Sequence, residues 1–497
     1  MKVLLIYPNI RGMNMLPPAI ALFTSILRKD GHTVQLFDST DYPNPEDSNF
    51  DSDKLKEINL NVRPFDDTLL KISFKDDDVF EALENMVKKY HPDLLVISLT
   101  EDMYPIGLKL LQKIGYFKIP TLVGGVFPTF APDIVLANPE VDMVCIGEGE
   151  YVIRELCRCI DTHKSYDNIP GLWVKKGEMI IKNQMGYPVN INKNPPLDLS
   201  IFNQGRLYRP MQGKVWRMFP LETHRGCPYT CTYCNSPSQQ KQYRYETNKN
   251  FFRKKSCEKI FEEIIHFRDN YQVEAFYLWA DTLLAYTDQE FDAFIAMYSE
   301  FKIPFWCQAR PEQITRDRIR RLKDVGLFRM AIGIEHGNED FRRKILKRNM
   351  PNELIIKNLK ILNDEEIPFS VNNIMGFPYE TRDLTFDTIE LNRQINADSV
   401  NGYSFSPFHG TPLREISEKE GYISTDLIAR SVTRPTMLNM PQYPPEQIEG
   451  MRRCFVLYIK LPKNRWPEIE KAEKLTPDGD KIWEKLRDEA RQYYIEW

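Results

Sequence analysis

Between residues 218 and 405 the chain repeats one unit six times: a short apolar run rich in β-branched and aromatic residues, a turn, then an amphipathic stretch. The strands are expected at 218–223, 275–279, 304–308, 329–334, 369–374 and 402–405. The helices between them are expected near 258–270, 288–300, 316–325, 353–363 and 384–395. Six such units in series predict a partial (β/α)6 TIM-like barrel, with its chemistry at the C-terminal ends of the strands.

A second alternation fills the first 150 residues. Its strands are expected at 3–7, 33–37, 94–98, 121–124 and 142–146, with helices near 19–29, 79–89 and 107–114. The pattern predicts a Rossmann-like parallel α/β domain. Residues 41–78, polar and rich in Asp, Asn and Pro, interrupt it and are expected to be a partly helical insertion over the domain surface. Residues 151–215 read as a connecting region, with Pro188 and Asn194-Pro195-Pro196 as punctuation. The barrel is assigned to 216–425. The region 426–497 is expected to be mainly helical and aromatic, with Trp466, Trp483, Tyr493, Tyr494 and Trp497.

The 497 residues carry a net charge of −4, which disfavours a broad nucleic-acid surface. No apolar run approaches the ~18 residues of a membrane span. The first residues lack the pattern of an export signal. Nine cysteines, three of them within eight residues, do not form a secreted disulfide framework and suggest the reducing cytoplasm.

Those three stand in His224-Arg225-Gly226-Cys227-Pro228-Tyr229-Thr230-Cys231-Thr232-Tyr233-Cys234, directly after the first barrel strand. Spacings of four and three on a Gly/Pro loop let one segment wrap a cubic iron–sulfur cluster. Three thiolates on four irons leave one iron open to a chelating ligand. A structural zinc site would need a fourth ligand, and the nearest, Cys257 and His224, lack a finger or ribbon spacing.

This Cys-x3-Cys-x2-Cys, with an aromatic before the last Cys, resembles the signature of radical S-adenosylmethionine (SAM) enzymes. The resemblance implies a [4Fe–4S] cluster on Cys227, Cys231 and Cys234. It also implies one-electron cleavage of SAM to a 5′-deoxyadenosyl radical, under anaerobic conditions, with an electron donor such as a flavodoxin or ferredoxin. Other strand ends resemble family phrases: Ala280-Asp281-Thr282, Arg310, Gly333-Ile334-Glu335-His336-Gly337, Gly376-Phe377-Pro378-Tyr379-Glu380 and Gly410-Thr411-Pro412. His336 replaces a family Ser, and Tyr379 replaces a family Gly. By this resemblance SAM contacts are expected from Tyr233, Asp281, Arg310, Glu335, Gly376 and Pro378.

In the first domain, Gly124-Gly125-Val126-Phe127-Pro128-Thr129 and Gly147-Glu148-Gly149-Glu150 follow two strands, where open α/β sheets bind ligands. A third loop, 98–104, carries Ser98, Thr100, Glu101 and Tyr104. The set resembles the cobalamin (B12)-binding domain fused ahead of many radical SAM enzymes. Cobalamin contacts are expected from Ser98, Thr100, Glu101, Tyr104, Gly124, Gly125, Val126, Pro128, Thr129, Gly147, Glu148 and Gly149. The Asp-x-His-x-x-Gly that supplies a cobalt ligand in other cobalamin proteins is absent. Asp30-Gly31-His32 only begins it, and His32 is expected at the surface. The resemblance therefore implies no histidine on the lower face of cobalt, with Tyr104, Ser98 or Thr100 as candidates to face it. Methylthiotransferases also place an α/β lobe before a radical barrel, but their lobe needs three cluster cysteines. Here only Cys145, Cys157 and Cys159 are present, one on a strand and two on a helix.

The function so implied is a cobalamin-dependent methyltransferase acting on an unactivated carbon or phosphorus centre. Alternatives are a radical cyclisation, ring contraction or oxidation without methyl transfer, and a non-catalytic metal or cobalamin carrier. His336, His409 and Glu335 are candidate acid–base groups. The substrate stays open among peptides, protein side chains, lipids and small molecules. The 41–78 insertion and the region after 426 are expected to shape its pocket.

Overall fold

The computed structural model describes the chain except residues 14, 48, 49, 65, 71–73, 494, 496 and 497. Two seven-stranded sheets organise it. The first comprises β1 (Lys2–Tyr7), β2 (Thr33–Asp38), β3 (Leu94–Ser98), β4 (Thr121–Gly124), β5 (Met143–Cys145), β6 (Leu172–Lys176) and β7 (Met179–Lys182). Its order is β2-β1-β3-β4-β5-β6-β7, with β1 to β5 parallel and β6 and β7 added as an antiparallel hairpin. Strand order reverses between β1 and β3, and such a switch point opens a crevice beyond the strand ends.

Successive residues of β1 feed opposite layers, as the pleat requires. Val3 and Leu5 join the helices Pro18–Lys29 and Glu150–Asp161 on one face. Leu4 and Ile6 join Val79–Tyr90 and Tyr104–Ile114 on the other. The first face shares its apolar cluster with the outer layer of the second sheet, including Phe219, Leu221, Phe276 and Leu278, so the two halves pack through one core.

The second sheet contains β8 (Tyr208–Met211), β9 (Lys214–Glu222), β12 (Ala275–Trp279), β13 (Phe305–Ala309), β14 (Leu327–Glu335), β15 (Phe369–Met375) and β16 (Ser399–Ser404). A small ribbon, β10 (His224–Arg225) with β11 (Arg253–Lys254), stands beside it. Strands β9 and β12 to β16 run parallel in chain order, and β8 is antiparallel to β9. The sheet does not close, because β8 and β16 are both edges. The expected strands are all present, and the antiparallel β8 and the β10–β11 ribbon are additions that no βα repeat announces. Helix starts follow local chemistry. Thr287 and Glu290 form a reciprocal capping box, and Asp78 accepts from the amides of Phe80 and Glu81.

The insertion packs on its own domain through Tyr42, Phe50 and Leu55, and it extends beyond that surface. It holds a helix, Ser52–Ile58, and reaches the barrel, where Asn61 donates to the Val400 carbonyl at 3.1 Å. The region after 426 forms helices Pro445–Lys460, Trp466–Ala472 and Pro477–Tyr493. The first packs on β16 and the barrel helix Arg382–Arg393. Arg393 donates to the carbonyls of Tyr458, Ile459 and Leu461, satisfying that helix's C-terminus. Tyr494 and Trp497 lie outside the described residues. Among the described residues no helix is long and apolar enough to cross a membrane.

Candidate functional site

The cysteine loop begins where β9 ends. Gly226 turns the chain at φ +81°, and a Cβ there would sit 2.7 Å from the Phe251 ring. Thr232 ties the loop down through Ile345 and Leu346 carbonyls. Cys234 caps the helix Asn235–Thr247, its sulfur accepting from the Ser236 amide. Burial pushes the Cys227 thiol up to about 11 and Cys234 to about 12. Such thiols are poor nucleophiles and lose their proton only to a strong cation such as a metal. The third thiol, Cys231, receives Arg310 Nη1 at 3.2 Å and Arg348 Nη1 at 3.8 Å. Both guanidiniums are buried, and Arg348 Nε has no partner. Two buried cations against one sulfur suit an anionic, thiolate-ligated cluster. Among the described residues no three His, Cys, Asp or Glu side chains converge as on a single ion. A cube spaces its thiolates wider than one ion does.

Around the loop the expected SAM residues gather from separate strands. Tyr233 Oη accepts from Arg348 at 3.1 Å, and its ring faces Phe377. Glu335 lies 3.7 Å from Arg348 and has φ +71°, a left-handed conformation for a residue with a side chain, at a register shift between β14 and β15. Burial raises the Glu335 carboxyl against the opposing Arg348 charge. Asp281 accepts from Ser236 Oγ at 3.1 Å, and burial raises it too. Gly376 and Phe377 amides bind the Glu380 carboxylate at 2.6 and 2.9 Å, so the Gly376–Glu380 turn is closed by its own last residue. Tyr379 holds φ +68° where the family phrase has glycine, which accounts for that family preference.

Sequence reasoning did not find Arg348. It follows buried Leu346 by two residues, in a loop without a motif. The acid–base candidates divide. His336 is fully buried, stacked on Phe341 at 4.3 Å, and accepts the Asn338 amide, so it packs the turn. His409 pairs with Glu101 at 2.7 Å, joining the two halves. Glu335 alone stands beside the cysteine loop.

A cavity of about 270 Å³ opens between the C-terminal ends of β3, β4 and β5 and the mouth of β9 and β12. From the first sheet Ser98, Gly124, Gly125, Val126, Gly147, Glu148 and Gly149 line it. Gly226 and Asp281 line it from the barrel, so glycine loops and cysteine loop share one space. A Cβ on Gly124 would meet only Cys145, at 3.6 Å, so a side chain there would fill the cavity. Gly125 has φ +118°, and its Cβ would fall 2.2 Å from the Leu99 carbonyl oxygen. Gly125→Ala is therefore expected to displace the loop. Retention of cobalamin on gel filtration should drop at least about tenfold, with a stability loss of about 1–3 kcal/mol.

The other expected cobalamin residues do not line this cavity. Thr100 bonds Asp102, and Tyr104 is buried against Phe127 with its hydroxyl held by Asn138. Pro128 is buried in the helix Val126–Phe130, and Thr129 ties the two glycine loops, donating to the Gly125 carbonyl and accepting from the Gly147 amide. Glu101 accepts from the His409 and Ala429 amides, and Glu148 pairs with Arg225 and Arg253 at 2.7 and 2.5 Å. Both acids join the α/β domain to the barrel. Cys145 lines the cavity, while Cys157 and Cys159 pack into the helix core. His32 is half-buried beside Asp161.

Comparison with known proteins adds to this geometry. Residues 221–391 match the radical SAM superfamily, and residues 58–157 match the B12 binding domain. An uncharacterized methyltransferase of Pyrococcus horikoshii is 23% identical, over 81% of this chain and 86% of its own. The cytidylyl-2-hydroxyethylphosphonate methyltransferase of Streptomyces wedmorensis is 20% identical, over 86% and 82%. The structure of the radical SAM methyltransferase TsrM from Kitasatospora setae superposes with a TM-score of 0.64 at 14% identity, over 99% of this chain and 100% of that one. The cobalamin-dependent radical SAM enzyme OxsB superposes at 0.65 with 16% identity, over 99% and 71%. With a B12-binding domain ahead of a cysteine-bearing partial barrel, the chain belongs to the cobalamin-dependent radical SAM enzymes.

Proposed function

We propose that this chain is a cobalamin-dependent radical SAM methyltransferase acting on an unactivated carbon or phosphorus centre. The observation that carries the reading is the shared cavity, in which glycine-rich ends of one sheet face the cysteine loop at the mouth of the other. When bound, the [4Fe–4S] cluster, SAM and cobalamin supply one-electron cleavage and a methyl carrier. The chain's own part is to hold and orient them. Cys227, Cys231 and Cys234 ligate the cluster, and Arg310 and Arg348 balance its charge beside Cys231. Tyr233, Asp281 and Glu335 offer polar groups for SAM, and the Gly376–Glu380 turn offers shape. Ser98, Gly124, Gly125 and Gly147 leave backbone open to the corrin.

None of the nine cysteines is paired in a disulfide, which supports a cytoplasmic setting with a flavodoxin or ferredoxin as electron donor. The test is anaerobic reconstitution with reductant, cobalamin and SAM. We expect both 5′-deoxyadenosine and S-adenosylhomocysteine. Deoxyadenosine without the homocysteine product would replace methyl transfer by cyclisation or oxidation. Neither product, with a normal cluster spectrum, would make the chain a carrier.

A further inference from the structure

Inside the barrel lies a second cavity, of about 440 Å³, that none of the family motifs touches. Alternate residues of the strands line it: Trp306 and Gln308 of β13, Arg329 and Ala331 of β14, Ser370 and Asn372 of β15, and Asn401 and Tyr403 of β16. The insertion closes it with Asn61, Val62 and Arg63, and β8 closes it with Arg209. Two positions further along their strands, Arg310 reaches Cys231 and Gly333 accepts from Arg348. Two residues of strand span about 7 Å, so the space runs from the lumen toward the cysteine loop.

Its charge is unbalanced. Among the described residues Arg209 and Arg63 have no hydrogen bond or ion pair, and Arg209 Nε is buried without a partner. Arg329 donates, among the described residues, only to Ser399 Oγ, at 3.1 Å. Of the lining acids, Asp53 pairs with Lys56 at 3.1 Å, and Asp398 accepts the Phe369 amide at 2.7 Å. Burial works against the charge of Arg209 and Arg329 more than the nearby Asp53 and Asp398 support it, and Arg63 and Lys56 leave the lining with more cations than acids. Asn401 Oδ1 and Gln212 Nε2 are further buried polar atoms without partners. A protein keeps such unpaired groups at a cost unless a ligand satisfies them. Beside them Trp306, backed by Tyr277 stacked on it at 4.1 Å and 13°, offers a flat apolar wall.

We propose that this cavity binds the substrate through an oxyanion, a carboxylate or phosphate, held by Arg63, Arg209 and Arg329, with its body along Trp306 and its far end toward the cysteine loop. The inference rests on the reading of the chain as a radical SAM enzyme and adds a substrate class to it. Guanidinium forks suit both oxyanions, and the aromatic wall suits a planar or apolar body.

The probes are benzoate, phenyl phosphate and neutral benzamide, titrated calorimetrically into the full-length, anaerobically reconstituted protein. At least one acid should bind about tenfold or more tighter than benzamide, the worth of one charge-assisted hydrogen bond. Which acid binds tighter distinguishes carboxylate from phosphate. Arg209→Gln and Arg329→Gln should each weaken that acid about tenfold, whereas Arg343→Gln, at an exposed helix position, should not. Equal binding of acids and benzamide would overturn the inference, as would undiminished binding by both cavity variants. The wild-type comparison needs no variant to fold. Iron and sulfide are assayed on the same sample. A cluster-bearing protein that ignores the acids sinks this inference alone, while a cluster-free protein sinks the proposed function.

Discussion

With Cys227, Cys231 and Cys234 all replaced by alanine, the anaerobically purified protein is expected to carry iron and sulfide at background and to form no 5′-deoxyadenosine. Apart from cluster ligation their sulfurs make only weak contacts: Cys234 accepts the Ser236 amide at 3.5 Å, and Cys231 accepts from Arg310 and Arg348. They form no disulfide, and burial holds Cys227 and Cys234 in the thiol state in the absence of a cation. The loop's anchors lie elsewhere, in Thr232, Gly226 and the Asn235 bond to the His409 carbonyl. The variant should therefore fold, with a far-ultraviolet signal like the parent's. Replacing Cys307 or Cys454, each fully buried in the core, should leave iron content unchanged. Iron that survives the triple replacement, or zinc in the parent, would end the cluster assignment.

Arg225→Ala is expected to cost about 3–5 kcal/mol, read as a fall in the midpoint of denaturant unfolding, because it strands buried carboxylates. Arg225 pairs with Glu148 at 2.7 Å, Glu150 at 2.5 Å and Glu222 at 2.7 Å. The carboxylates at the first two positions belong to the α/β domain, so the guanidinium joins the halves at the rim of the cofactor cavity. Glu148 keeps Arg253, and Glu222 keeps Lys255 at 3.2 Å, but Glu150 is left with Asn194 at 3.3 Å. The same network sets an acid limit. Burial by itself would raise the Glu222 carboxyl, but Arg225 and Lys255 outweigh it and hold the group down to about 2 from 4.5. A folded-state value below the unfolded one stabilises the protein above the unfolded value. That stabilisation is full above about pH 4.5 and is lost as pH falls toward 2, amounting to roughly 3 kcal/mol. Arg225→Ala should flatten this part of the pH–stability curve; an unchanged slope would remove Glu222 from the account.

Much of the architecture was legible because it rests on short-range rules. A period-two apolar run followed by an amphipathic stretch reports a βα unit whatever its neighbours, so β1 to β5, β9 and β12 to β16 emerged, although β9 and β16 begin a few residues earlier than expected. The cysteine loop was equally readable, since three ligands within eight residues need no tertiary closure. The antiparallel β8 was not, because a lone edge strand carries no repeating partner. The insertion at 41–78 was legible only in part, for a related reason. Its polarity reads as solvent exposure, yet Asn61 and Arg63 are polar because they face a barrel lumen. Nor did the region after 426 shape either cavity. Its aromatic residues pack a helical layer outside β16.

The sequence by itself determined the two βα series, their order, and the thiol triplet at spacings of four and three, since each is written in residues close together along the chain. Only the tertiary structure decided that Glu101 and Glu148 join domains, that Arg348 stands beside Cys231, and that three arginines from the insertion, β8 and β14 share one lumen. Those residues are separated by tens to hundreds of positions. Their meeting is set by how the sheets curl and pack, and charge pairing across such distances leaves no periodic trace.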